Sequence, residues 1–250
     1  MQIKIYKVKE TVYITINMDW FKHSLFINLD SRVDRLQHAL EEFDKMDIQV
    51  ERISAIKNKQ GAIGCTMSHI KCLQIAKERD YEYVFICEDD ITFLDPNKLK
   101  ENLKLFHKYI HESLKWDVLI IGGNNVPPYQ PLTEYCARVF SCQTTTGYIV
   151  RKHFYDKLIE NFKESATNLM KNPGNAREFA LDMYWKRLQK QYIWLMITPP
   201  TVTQYESYSD IEQKNVNYDR LMLDMDKEWF VKQQQALMSR MHQTPSKPPN

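Results

Sequence analysis

Two hydrophobic periods alternate along the chain. Residues 24–30 (SLFINLD) form a short apolar run expected of a buried strand, and 31–46 (SRVDRLQHALEEFDKM) follow with Val33, Leu36, Ala39, Leu40 and Phe43 at helical spacing. Asp30 or Ser31 can cap that helix. Residues 48–56 (IQVERISAI) alternate like a strand, 66–80 (TMSHIKCLQIAKERD) read as a helix, and 81–90 (YEYVFICEDD) as a further strand. The unit recurs with a helix over 97–114 and a buried strand over 116–123 (WDVLIIGG). This βαβαβαβ order predicts an α/β fold with a mostly parallel central sheet and right-handed crossovers. Beyond it, 144–162 read as a strand leading into a helix, 177–191 (REFALDMYWKRLQKQ) as one helix and 192–200 (YIWLMITPP) as a last strand.

Composition narrows the setting. A chain of 250 residues has ample core for one large α/β unit. Its formal charge of +2 is mixed throughout, which excludes the basic stripe of a nucleic-acid binder. Five cysteines without CxxC spacing (Cys65, Cys72, Cys87, Cys136, Cys142) predict buried free thiols and a reducing compartment. No apolar run reaches signal-peptide or membrane-span length, so the expected location is cytoplasmic. Residues 1–23 are expected to be an N-terminal extension, and 212–250 a C-terminal helical segment ending in a disordered, proline-rich tail.

One stretch resists a purely structural explanation. Three consecutive acids, Glu88, Asp89 and Asp90, interrupt an apolar run that resumes with Ile91, Phe93 and Leu94. Adjacent carboxylates repel one another and suit strand geometry poorly. They sit at a strand's carboxyl end, where open α/β sheets bind ligands. Strand alternation sends Glu88 and Asp90 to one side and Asp89 to the other. Hard oxygen donors with no accompanying Cys or His pair point to Mn²⁺ or Mg²⁺, a cation that completes its shell with substrate phosphates such as those of a nucleotide sugar. The competing reading is a solvated loop whose acids cap the next turn.

The segments FINLDSRVDR (26–35) and GAIGCTMSHIKCLQIAKERDYEYVFICEDDITF (61–93) closely resemble glycosyltransferase family 25, and WDVLIIGG, TTTGYIVRKHFYDKL (144–158), ALDMYW (180–185) and TPPTVTQYESYSDI (198–211) continue the resemblance in order. It covers roughly 24–211, the expected catalytic domain. It implies a GT-A type fold, a nucleotide-sugar donor, and a metal-binding role for the acidic triplet. Five of the six glycines fall inside these motifs, which suggests tight turns or close ligand approach.

The remaining candidates follow from these segments. Glu88 and Asp90 are the expected metal ligands, with Asp89 orienting the sugar or its loop. Arg32 and Arg35, three apart after the first strand, can reach a diphosphate or pair with Asp30, Asp34 or Glu41. Asn28 can bond the nucleotide base or satisfy a turn. Cys65, His69 and Cys72 share a helix face, a zinc pattern lacking a fourth ligand. The resemblance places Ser68 and His69 near the donor pocket and Thr145, Thr146 and Gly147 beside the sugar. Asp182 stands among apolar helix positions and matches the family acid able to act as general base, the competing reading being an ion pair with Arg177 or Lys186. The expected function is metal-dependent inverting transfer of a hexose, galactose from UDP-galactose above all, to a hydroxyl of a glycan or protein acceptor. A non-catalytic sugar-nucleotide or glycan-binding module and a metal-dependent nucleotide-sugar hydrolase are the alternatives.

Overall fold

The computed structural model describes residues 19–209, 211, 213–229 and 232–233. The first half follows the expected alternation: β1 (Ser24–Asn28), α1 (Val33–Met46), β2 (Glu51–Ser54), α2 (Gly61–Glu78), β3 (Tyr83–Glu88), β4 (Ile91–Phe93), α3 (Pro96–Tyr109) and β5 (Val118–Asn125). Asp95 starts α3 by accepting the Lys98 N–H at 2.9 Å, with Pro96 in the first helical position, where its missing N–H costs nothing. The second half contains β6 (Tyr129–Thr133), β7 (Cys136–Val139), β8 (Cys142–Arg151) and α4 (Tyr155–Lys171). Three short helical turns follow, α5 (Ala176–Phe179), α6 (Leu181–Tyr184) and α7 (Lys186–Gln189), then β9 (Trp194–Ile197), β10 (Val202–Gln204), β11 (Ser207–Ser209), β12 (Lys214–Val216) and α8 (Asp219–Leu223).

Eight of these strands form one sheet in the order β2-β1-β3-β8-β5-β9-β7-β6. Six run in one direction, and β7 and β8 oppose them. The α/β expectation holds, with one addition: β8 is inserted antiparallel between β3 and β5, so its first residues lie at the edge where those two strands end. The central strands β1, β3, β5 and β9 are buried on both faces, as their unbroken apolar runs require, while the edge strands β2 and β6 are partly exposed. Val84 and Ile86 of β3 and Val118 and Ile120 of β5 join the core beneath α2 and α4. Phe85, Cys87, Leu119 and Ile121 join the opposite core, with Phe43 of α1 and Phe106 of α3.

Two expectations change. The helix predicted over 177–191 is broken at Ala180, whose ψ of 146° is extended. Tertiary bonds account for the break: the Trp185 indole N–H donates to the Cys142 carbonyl at 2.8 Å, while the Gln189 amide bonds both the N–H and the carbonyl of Cys142. These bonds wrap the segment around the start of β8 at the expense of a continuous helix. The glycine motifs supply close approach and no left-handed turns, since no described glycine has positive φ. Gly64 lies within α2, where a Cβ would stand 2.4 Å from the Ile56 carbonyl oxygen.

The packed unit also extends past the expected catalytic boundaries. Trp20 and Phe21 are buried against Tyr83, Trp116 and Phe85. At the other end Met222 is buried and the Lys227 ammonium donates to the Asn125 carbonyl. The tail over 234–250 lies outside the described residues. Among the described residues no helix is long and apolar enough to cross a membrane, and the five cysteines are free.

Candidate active site

The acidic run resolves into a turn. β3 ends at Glu88, Asp89 and Asp90 form the turn, and Ile91–Phe93 continue as β4, pairing antiparallel with β10. This second pairing explains why apolar residues resume after the acids: Ile91 and Phe93 are buried in the core beneath. It also changes the expected alternation. Asp89 and Asp90 share one guanidinium, with Arg35 Nη1 at 3.1 Å from Asp89 Oδ1 and 3.0 Å from Asp90 Oδ2. Glu88 turns the other way, where its Oε1 accepts from the Thr145 hydroxyl and lies 3.3 Å from His69 Nε2. Its Oε2 has no hydrogen-bond partner among the described residues.

A cleft of about 500 Å³ opens over this turn, lined among others by Arg35, Cys65, His69, the three acids, Thr144, Thr145 and Asp182. Its volume lies within the usual range for a small-molecule site, about 300–1,000 Å³. Burial pushes the Asp90 carboxyl up to about 8, helped by Glu88 and opposed by Arg35. Burial likewise raises Asp89, against the pull of Arg35 and Asn28. Glu88 settles below the ordinary range: burial would raise it, but its bonds to His69 and Thr145 and the charge of Arg35 outweigh that. Three carboxylates thus face one cleft with a single guanidinium, which bonds two of them, Asp89 and Asp90.

Asp182 enters from α6 and accepts the Thr144 N–H at 3.0 Å. No ion pair holds it among the described residues. Lys186 bonds Gln143 at 2.6 Å instead, and Arg177 makes no bond to Asp182. Burial raises the Asp182 carboxyl, with Glu88 adding to the rise and the Thr144 N–H and Lys186 opposing it. Thr144 itself holds φ at 64°. A β-branched residue in the left-handed region costs on the order of 1–3 kcal/mol, strain that persists where surrounding structure enforces it. The enforcement is visible, because the Thr144 hydroxyl accepts the Asn124 N–H at 3.2 Å across an irregular stretch of the β5–β8 ladder.

Four expected binding residues do not present free groups to the cleft. Asn28 is buried with its amide fully engaged, donating to Asp89 at 2.6 Å and to the Arg32 carbonyl and accepting from Arg52, so it braces the acidic turn. The buried Ser68 hydroxyl donates to the Gly64 carbonyl and accepts the Ile56 N–H, tying α2 to the loop after β2. Thr146 and Gly147 point into the core, Gly147 against Ile91 and Phe85, leaving Thr144 and Thr145 as the wall. Arg32 and Arg35 do line the cleft, and both are ion-paired, Arg32 with Asp34 at 2.8 Å. Cys72, which the spacing puts on one helix face with Cys65 and His69, is buried away from the cleft, and Glu88 is the third group that gathers beside that pair. Two further acids in the 198–211 segment could in principle serve as base: Glu206 is exposed and bonded by Asn217, and Asp210 lies outside the described residues. Thr144, Tyr148 and Gln204, which bonds Asp90, escaped the sequence reading because their partners are remote in the chain.

Comparison with known proteins bears on this cleft. The family model described as "Glycosyltransferase family 25 (LPS biosynthesis protein)" matches residues 59–185, just over half of the chain, from the start of α2 to Asp182 and Trp185. The chain belongs to glycosyltransferase family 25. Within this family 25 chain, 139 residues are 24% identical to human procollagen galactosyltransferase 2, covering 44% of this chain and 22% of that one. A putative glycosyltransferase of Haemophilus influenzae is 32% identical over 92 residues, 28% of this chain and 33% of that one. The family 25 chain therefore matches no more than about a third of the length of these curated relatives. Among solved structures, a glycosyltransferase involved in glycosylation of the major capsid of PBCV-1 aligns with TM-score 0.40 at 10% identity, over 70% of this chain and 79% of that one. A Drosophila galactosyltransferase 7 mutant complexed with manganese, UDP-Gal and xylobiose aligns with TM-score 0.38 at 10% identity, over 91% and 82%.

Proposed function

We propose that this protein transfers a hexose, galactose from a UDP-sugar, to a hydroxyl of a glycan or protein acceptor, with inversion at the anomeric carbon. The observation that supports this reading is the presence, in one cleft, of the acidic turn and a separate carboxylate, Asp182, with no ion-pair partner among the described residues. The oxygen-only donors of the turn fit a hard divalent cation: their excess negative charge against Arg35 leaves Asp90 undercompensated, and among the described residues the bonds to Glu88 all fall on Oε1. Glu88 and Asp90 would hold Mn²⁺ or Mg²⁺, which supplies neutralisation of the charge on the departing diphosphate.

The chain's own residues account for the rest of the reaction. The acceptor oxygen forms its bond to the anomeric carbon as the bond to the diphosphate oxygen breaks, and its proton passes to Asp182. The Thr144 N–H fixes one oxygen of that carboxylate and leaves the other for the acceptor. The upward shift of Asp182 brings its affinity for a proton nearer to that needed at neutral pH. Asp89, bonded on both oxygens, holds Arg35 and the end of β1 in place. Lipopolysaccharide, which the family description names, and collagen, on which the mammalian relatives' names bear, are the two acceptor classes to try first.

UDP titration by calorimetry with and without Mn²⁺ tests the donor side. Wild type is expected to bind UDP in a Mn²⁺-dependent manner, and Asp90→Asn to fold normally and lose that dependence. Full Mn²⁺-dependent affinity in the variant would remove Asp90 from the metal. Release of UDP at the same rate without any acceptor would mark a hydrolase.

A further inference from the structure

The two oxygens of Glu88 have different surroundings, and the engaged one faces a sulfur and a nitrogen. We propose that Cys65 Sγ, His69 Nε2 and Glu88 Oε1 form a zinc site, which shares Glu88 with the oxygen-only set of the acidic turn but uses its other oxygen, and which does not depend on the transferase reading.

The three ligand atoms lie within 4.8 Å of one another. His69 Nε2 is 3.3 Å and Cys65 Sγ 3.9 Å from Glu88 Oε1. Tetrahedral Zn²⁺, with bonds of about 2.0 Å to nitrogen and oxygen and about 2.3 Å to sulfur, sets its ligands about 3.3 to 3.6 Å apart. The His69–Glu88 edge already has that length, the Cys65–Glu88 edge needs a closure of about 0.4 Å, and the Cys65–His69 edge, within 4.8 Å, needs up to about 1.2 Å, which a rotation of the Cys65 side chain on α2 supplies. Their placement on α2 supplies the convergence, because Cys65 and His69 are one helical turn apart on the same face.

The surroundings resemble those of a metal site in a second respect. His69 is fully buried and its Nδ1 lies 2.8 Å from the Tyr148 hydroxyl, the outer-ring bond that orients metal-bound histidines. Glu88 Oε1 also accepts from the Thr145 hydroxyl, which fixes the carboxylate in place. Cys65 and Glu88 line the cleft, so a fourth position opens towards a water or a ligand oxygen, as in zinc sites with three protein ligands. A sulfur, nitrogen and oxygen set selects Zn²⁺ over Mn²⁺ or Mg²⁺. On loading, the Cys65 thiol gives its proton to solvent and His69 keeps its remaining proton on Nδ1, donated to Tyr148.

Co²⁺ titration of the full chain, without nucleotide, reads this site directly. The expected spectrum has a thiolate-to-metal charge-transfer band and the intense visible bands of tetrahedral Co²⁺, both displaced by Zn²⁺ and unaffected by Mg²⁺. Cys65→Ser should abolish the thiolate band and weaken Zn²⁺ binding by at least about 100-fold, more than loss of an outer-shell partner causes. Cys65→Ala repeats the test without adding a hydroxyl to the wall, should the serine variant unfold. Asp90→Asn should leave the thiolate band in place, which separates this ion from the proposed Mn²⁺ even if the transferase reading fails. An octahedral Co²⁺ spectrum without the band, or Zn²⁺ binding that survives both Cys65 variants, overturns the site.

Discussion

Replacing Asp90 with Asn removes the carboxylate whose titration the cleft distorts most. Its side chain is 9% exposed, and burial with Glu88 nearby lifts it from 3.8 to about 8 despite Arg35 at 3.0 Å. The folded value exceeds the unfolded one, so between the two the native state holds a proton that the unfolded chain has released. Stability therefore falls as pH rises. The contribution is complete below about pH 4 and is lost as pH climbs through about 8. Asn has no such proton to lose. Urea unfolding of both proteins in chelator, at intervals from pH 5 to pH 8, should show the variant gaining on wild type by up to about 1.4 kcal/mol per pH unit. Saturating Mn²⁺, which favours ionised Asp90, should flatten the wild-type slope and leave the variant unchanged. Parallel pH profiles for the two proteins in chelator would refute the assignment of a displaced proton to Asp90.

Asp182→Asn keeps the size of the side chain, so UDP-sugar affinity should persist while transfer falls by about 10²–10⁴-fold; near wild-type turnover in a stable variant would place the base elsewhere. The glycoside formed from an α-linked donor should be β by NMR, and an α product would reject both inversion and the role of Asp182. Gly64→Ala places a methyl carbon 2.4 Å from the Ile56 carbonyl. It should cost about 1–3 kcal/mol in urea unfolding despite the roughly 1 kcal/mol that alanine gains within a helix; unchanged or raised stability would show that the loop after β2 yields.

Much of this fold was legible from local pattern because its central strands are buried on both faces. A run such as Val84 to Cys87 needs no partner to be recognised, and neither does the placement of three acids at its end. What escaped depends on partners distant in the chain. β4 and β10 are three residues each and acquire strand geometry only by pairing with one another. The break at Ala180 arises because Trp185 and Gln189 find better hydrogen bonds on β8 than a continuous helix offers. Asn28 and Ser68 were identified as polar residues near the site, yet polarity does not distinguish a group that meets ligand from one that braces the backbone beneath it. Gly61 and Gly64 looked like a turn and lie in α2, since steric room at a crossing and conformational freedom in a loop both require glycine. Thr144 had no signal at all, its left-handed backbone being imposed by the ladder around it.

The position of β8 also orders events during synthesis. The chain makes β1, β2, β3 and β5 first, yet the strand that joins β3 to β5 is residues 142–151, and Thr144 and Thr145 arrive with it. A nascent chain that has emerged only as far as β5 therefore has two long apolar strands with open edges and no cleft wall. Closure requires contacts of long sequence separation, which form slowly. The interval before residue 151 emerges is thus the stage at which this protein is most exposed to aggregation, and chaperone capture should favour nascent chains that end between β5 and β8.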